Sequence, residues 1–338
     1  MAQSGTTGME TLRLTAALSD YDHVRDLVTG AVRPQGITVL PLTLRPHEIF
    51  YRFMTHHEWE VSEMSFGGYC SMVADGDDSA IAIPVFPSRV FRHSSIYIRN
   101  DGPVRRPEDL AGKRIGVAEW GMTAVIYIRG WMMHQIGISL QDVDWVQGGT
   151  SEPGRTEKIS PALPAGVRLA QVTDRSLSDM LLAGDIDAIL CAAPPAPFRA
   201  GDPRMVRLFP ESRPAEEAYF RETGVYPIMH VIAIRSDVYR QNRWVALSLY
   251  HAFEEAKNRS VARVMTPGSP VPIPWSFEET RRAARLMFPD GDYWPYGVDA
   301  NRATLDAFLA FCHEQGVTRR RLMPADLFAP ETLSLARE

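Results

Sequence analysis

Three short apolar stretches near the start of the chain, residues 12–18, 37–44 and 59–66, are separated by segments whose apolar residues recur at helical spacing. Strand, helix and strand in this rhythm leave little choice of architecture: the strands run parallel and the helices cover the sheet. In such a sheet a ligand crevice lies beyond the carboxyl ends of the strands. The sequence puts those ends at Asp20 to Asp22, Leu44 to His47 and Glu63 to Phe66.

The pattern returns after residue 112. Residues 115–118 are an apolar run of strand length, Glu119-Trp120-Gly121 interrupts it, and helical spacing runs from Met122 to Met133. A helix starting near Met122 or Thr123 turns its unpaired N–H groups toward the strand end, where a carboxylate is favoured. Gly121 lets the backbone approach a ligand closely. Residues 144–147 and 184–191 read as further strands, residues 148–155 as a Gly-rich loop and residues 177–183 as a helix. Pro84 and Pro87 cannot donate ladder hydrogen bonds, so residues 81–98 belong at a sheet edge or at a crossing between lobes. Tyr226 and His230 interrupt the apolar segment 223–234, and beyond residue 242 the pattern is mainly helical.

With 338 residues the chain has room for two lobes, and 45% apolar with 23% charged residues at net charge −5 excludes a disordered or nucleic-acid-binding polymer. The expected partner is a small molecule. The three cysteines, Cys70, Cys191 and Cys312, have no CxxC spacing and suggest neither a disulfide framework nor a zinc site. Adjacent His56 and His57 point different ways on a helix and no His-Glu-x-x-His pattern exists, so no metal is expected; no cofactor motif is present either. The N-terminus lacks a basic segment followed by an apolar one, and no run of about 18 apolar residues occurs, which predicts a cytoplasmic protein with no membrane partner. Oligomeric state is not legible, and a homo-oligomer such as a dimer is compatible with the chain.

In order along the chain stand Arg92-His-Ser-Ser95, Glu119-Trp-Gly-Met-Thr-Ala124, Gly154-Arg-Thr-Glu157, Thr223-Gly-Val-Tyr-Pro-Ile-Met-His230 and Trp294-Pro-Tyr-Gly297. This ordered set resembles the 4,5-dihydroxyphthalate decarboxylase family, from about Leu12 to Phe328. The resemblance implies an α/β type 2 periplasmic-binding-protein-like fold with a ligand cleft between two lobes. Lobe one would comprise residues 1–99 and 231–338, lobe two residues 100–230, with crossings near 95–103 and 225–234. The implied activity is cofactor-independent decarboxylation of a hydroxylated aromatic acid, foremost 4,5-dihydroxyphthalate to 3,4-dihydroxybenzoate. A non-catalytic solute-binding or sensor protein for a small aromatic carboxylate is the alternative, since fold alone does not decide function.

Within this frame His93 and His230 are candidate proton donors, each with a structural alternative as a hydrogen-bonded core histidine. Glu119 is the candidate partner of the histidine, or a favourable charge at a helix start. Arg92 and Arg155 are candidate forks for substrate carboxylates, together with the backbone of Gly121, Met122 and Thr123. Arg129, two turns into its helix, reads as structural. Ser65 and Thr123 are hydroxyl donors at strand–helix junctions or simple caps. Tyr226 and Trp294 are candidate cleft walls or supports from behind.

Overall fold

The computed structural model describes residues 11–155, 157–268 and 271–334; the N-terminal residues read for targeting, and Thr156 of the Gly154–Glu157 motif, lie outside them. Eleven strands are present among the described residues: β1 Leu12–Leu18, β2 Ile37–Thr43, β3 Val61–Ser65, β4 Ala80–Ile83, β5 Ile96–Arg99, β6 Arg114–Val117, β7 Asp144–Gln147, β8 Arg168–Gln171, β9 Ala188–Leu190, β10 Met205–Arg207 and β11 His230–Arg235. They form two sheets, ordered β2-β1-β3-β11-β4 and β10-β5-β9-β6-β7-β8. As the apolar spacing requires, β1 runs parallel to β2 and β3, and β6 runs parallel to β7 and β9.

β11 is the exception that builds the site. It lies antiparallel between β3 and β4, with His230 opposite Ser65. The strand that returns to the first sheet therefore begins where β3 ends. Next to it the two crossings run side by side, bridged antiparallel at Arg89 and Ile228.

The boundary between the sheets differs slightly from the sequence expectation. β5 pairs with β9 and β10, so residues 96–99 belong with the second sheet, and His230 belongs with the first. Unforeseen β8 and β10 are short strands at the edges of the second sheet, each with only two apolar residues, too few to mark a strand by pattern. Gly67 and Gly68 sit in the first turn of the helix Phe66–Ala74, which follows β3 directly.

One apolar core spans both sheets, with Val61 and Ile232 on one side and Ile115 and Leu190 on the other. Between them pack the helices Phe66–Ala74, Thr123–Trp131 and Arg302–Glu314. Phe308, on the last of these, stacks on Phe66 at 4.8 Å and on Tyr127 at 4.6 Å between ring centroids. Beyond the second sheet's other face, Leu177, Leu181 and Ile189 form a smaller cluster. No helix among the described residues is long and apolar enough to cross a membrane.

Candidate active site

The carboxyl ends of β3, β6 and β9 converge on a cleft of about 560 Å³, within the range of small-molecule sites. Its first wall carries Arg45, His47, Phe50, Ser65, Met229 and His230; the facing wall carries Glu119, Gly121 to Ala124, Arg155, Glu157, Lys158 and Ala192, and Arg92 projects from the crossing.

His230 and Glu63 lie diagonally on neighbouring strands, since His230 faces Ser65 and Ile232 faces Glu63. Same-face diagonal neighbours are within reach of long side chains. His230 Nδ1 stands 2.5 Å from Glu63 Oε1. The carboxylate is fully buried and also accepts the Ser19 amide at 2.8 Å and the Tyr21 hydroxyl at 2.7 Å. Burial pushes the Glu63 carboxyl up, but the His230 imidazole, its hydrogen bond and those from Ser19 and Tyr21 outweigh this and hold it below the usual range. Glu63 thus stays ionised, fixes the ring and stabilises a proton on Nδ1. The ring itself lines the cleft, with Phe50 edge-on at 4.8 Å.

On the facing wall the strand–helix turn is close-packed. Thr123 accepts the Gly67 amide at 2.9 Å and lies 3.0 Å from the Ser65 hydroxyl, joining the two helix starts across the cleft floor. A Cβ on Gly67 would come within 2.8 Å of the Gly121 carbonyl, so only glycine permits this approach. The Trp120 and Gly121 amides donate to the Glu157 carboxylate, which also accepts Gln147 Nε2 at 3.1 Å. Burial and the neighbouring Glu119 raise the Glu157 carboxyl above its ordinary value. Glu119 in turn receives Arg155 at 2.5 Å and Lys158 at 3.4 Å. Burial, Lys158 and Arg155 lower the pKa of His47 beside them, which keeps it neutral.

No family model matches the chain. A curated relative, 4,5-dihydroxyphthalate decarboxylase from Comamonas testosteroni, is 37% identical over 327 residues, covering 96% of this chain and 98% of the relative. The chain belongs to the 4,5-dihydroxyphthalate decarboxylase family. A second relative of that name, from Pseudomonas putida, is 39% identical over 214 residues, covering 63% of this chain and 83% of the relative. Among solved structures, the periplasmic aliphatic sulphonate binding protein SsuA from Escherichia coli superposes with a TM-score of 0.51 at 12% identity, covering 98% of this chain and 96% of that one. That likeness gives the fold of this family member: two α/β lobes of the periplasmic-binding-protein kind.

In this member of the decarboxylase family, several residues singled out from sequence stand elsewhere. His93 is 6% exposed and ringed by Trp131, Phe209 and Tyr219 at 5.1, 5.5 and 5.5 Å. It lines a separate small apolar pocket behind Arg92, and burial pushes its pKa down to about 4, so it is a neutral core group. Glu119 is not the partner of His230; its charge is taken up by Arg155 and Lys158, and Glu63 holds the histidine instead. Tyr226 packs against Phe91 and under the Arg89 guanidinium, and Trp294 donates to the Phe86 carbonyl and packs on His23. Neither is among the residues lining the cleft. Ser65, Gly121, Met122, Thr123, Arg92 and Arg155 do line it, but the amide of Gly121 is turned to Glu157 rather than left for a ligand. Arg129 is sealed by Gln315 and the Trp120 carbonyl, the structural role read from its position.

Glu63 and His47 were read only as members of the strand ends bordering the crevice, with no role of their own, and Lys158 was missed. Glu63 left a weak signal: a carboxylate in the middle of a strand, which demands a partner if it is buried. Among the described residues no group of His, Cys, Asp and Glu is arranged to hold a metal ion.

Proposed function

We propose that the chain decarboxylates 4,5-dihydroxyphthalate to 3,4-dihydroxybenzoate, with His230 as the proton donor to the ring. The family relationship supports the reaction. The observation that carries the mechanism is the Glu63–His230 pair on the cleft wall.

In this substrate each carboxylate lies para to a hydroxyl. Removing a phenolic proton pushes electron density to the para carbon, the one that bears a carboxylate. His230, as imidazolium paired with Glu63, delivers a proton to that carbon; the carbon–carboxylate bond then breaks, carbon dioxide leaves and the ring regains aromaticity. The ring is its own electron sink. Neutral His47 on the cleft wall is the base for the phenol, and Lys158 and Arg155, by neutralising Glu119 beside it, keep that wall from repelling the phenolate. The phenolic proton returns to oxygen after the loss of carbon dioxide, so each turnover consumes one proton, which solvent restores to His230.

The test is release of carbon dioxide from 4,5-dihydroxyphthalate by the purified protein, with 3,4-dihydroxybenzoate formed in equal amount. His230→Gln should lower kcat by at least about 100-fold. No turnover of any dihydroxylated phthalate, or full activity in His230→Gln, refutes the proposal.

A further inference from the structure

The proposed substrate has two chemically identical carboxylates, and only one is lost. The product still carries a carboxylate para to a hydroxyl, so its ring is primed for the same reaction again. Ring chemistry decides neither point; the site must.

The charges in the cleft are unevenly paired. Arg155 and Lys158 are committed to Glu119, and Arg45 is exposed at the rim. Arg92 differs from all three. Its Nη1 donates to the Ala192 carbonyl at 2.9 Å and its Nε faces the Met229 sulfur at 3.1 Å. These neutral acceptors fix the guanidinium in place, and no carboxylate forms an ion pair with it among the described residues. A half-buried cation without an anion is unfavourable, and a ligand's anion relieves the cost. Met229, on which Arg92 rests, immediately precedes His230. Arg92, Met229 and His230 all line this cleft, so a cation and a proton donor share one site, as two ortho carboxylates share one ring.

Building on the proposed reaction, we infer that Arg92 is the specificity-determining residue that breaks the substrate's symmetry by holding the carboxylate that is retained. It cannot usefully hold the one that leaves. A guanidinium on the departing group would stabilise a charge that vanishes as neutral carbon dioxide forms, which favours the ground state over the transition state. The product's remaining carboxylate then stays on Arg92, away from His230, and the second decarboxylation is avoided.

The experiment compares Arg92→Ala and Arg92→Lys with wild type, after confirming by circular dichroism and thermal melting that each is folded. Binding of 3,4-dihydroxybenzoate is measured by calorimetry, without turnover, and KM and kcat are measured for 4,5-dihydroxyphthalate. Arg92→Ala should weaken product binding and raise KM by a similar factor, about 10- to 100-fold, with a smaller change in kcat. Arg92→Lys, which keeps the charge but loses the fork, should fall between. Product affinity unchanged in both variants, or a fall in kcat at constant KM, overturns the inference. Absence of turnover in wild type instead refutes the reaction on which it rests, whatever the variants bind.

Discussion

Replacing Glu63 by Gln keeps the shape of the buried side chain and changes only its donors and acceptors. The carboxylate accepts from Ser19 through one oxygen and from Tyr21 and His230 through the other. A glutamine has one oxygen and one NH2. Turned with its NH2 toward the Ser19 amide, it would set two donors against each other at a separation now 2.8 Å. The lower-cost orientation keeps oxygen on Ser19 and points NH2 at His230. Nδ1 must then accept, so the imidazole becomes neutral with its proton on Nε2 and can no longer be charged from the carboxylate side. Exchanging charge-assisted bonds of about 1.5–3 kcal/mol each for neutral ones near 1 kcal/mol should cost roughly 2–3 kcal/mol of stability. The loss of the proton donor should reduce kcat by about 100- to 10,000-fold. The stability difference should itself depend on pH. Because the Glu63 carboxyl titrates below its unfolded value, its contribution is present above about pH 4.3 and disappears as pH falls through the folded pKa. Wild type and Glu63→Gln should therefore converge in denaturant stability in acid and differ most near neutrality. Steady-state kinetics, denaturant titrations at several pH values and nitrogen NMR of the histidine tautomer provide the readouts. A variant with kcat within about threefold of wild type would show that the pair does not generate the acid.

Other outcomes follow from the same geometry. His93→Phe should leave kcat within about threefold and improve stability in acid: the folded pKa near 4 lies below the ordinary 6.5, so stability is lost as pH falls through that window, by up to about 3 kcal/mol, and Phe removes the loss, as melts between pH 4 and 7 would show. Gly67→Ala should push the two helix starts apart at the Gly121 carbonyl and Ile126, costing about 1–3 kcal/mol and lowering kcat/KM; unchanged melting would contradict it. Arg129→Met removes a fully buried guanidinium held by Gln315 and Trp120; the orphaned acceptors should cost about 3–5 kcal/mol, while KM of the folded variant stays near wild type.

What could be read from the sequence was what local spacing encodes. The apolar alternation of residues 12–18 and the onset of helical spacing at Met122 gave β1 and the helix Thr123–Trp131, and the apolar segment 223–234 marked β11. Edge strands as short as β8 and β10 are too brief to show a period and were invisible. The site was legible one residue at a time but not in its pairings. His230 and Glu63 are 167 positions apart and meet only because β11 docks antiparallel on β3 in one register. The same limit explains His93: beside Arg92 in sequence, it points into an aromatic box formed by Trp131, Phe209 and Tyr219, all contributed by distant segments.

The stacking of Phe308 between Phe66 and Tyr127 bears on how a substrate gets in. Phe66 belongs to the first lobe and Tyr127 to the second, so drawing the lobes apart must pull at least one ring off Phe308 and wet a side chain that is now fully buried. Half of such a burial is worth about 1–1.5 kcal/mol, which weighs against a gaping form. A transport receptor must open wide to surrender its cargo; a catalyst that releases a small gas and a planar acid has no such need. The aromatic rivet thus favours a cleft whose two walls are held together before the substrate arrives.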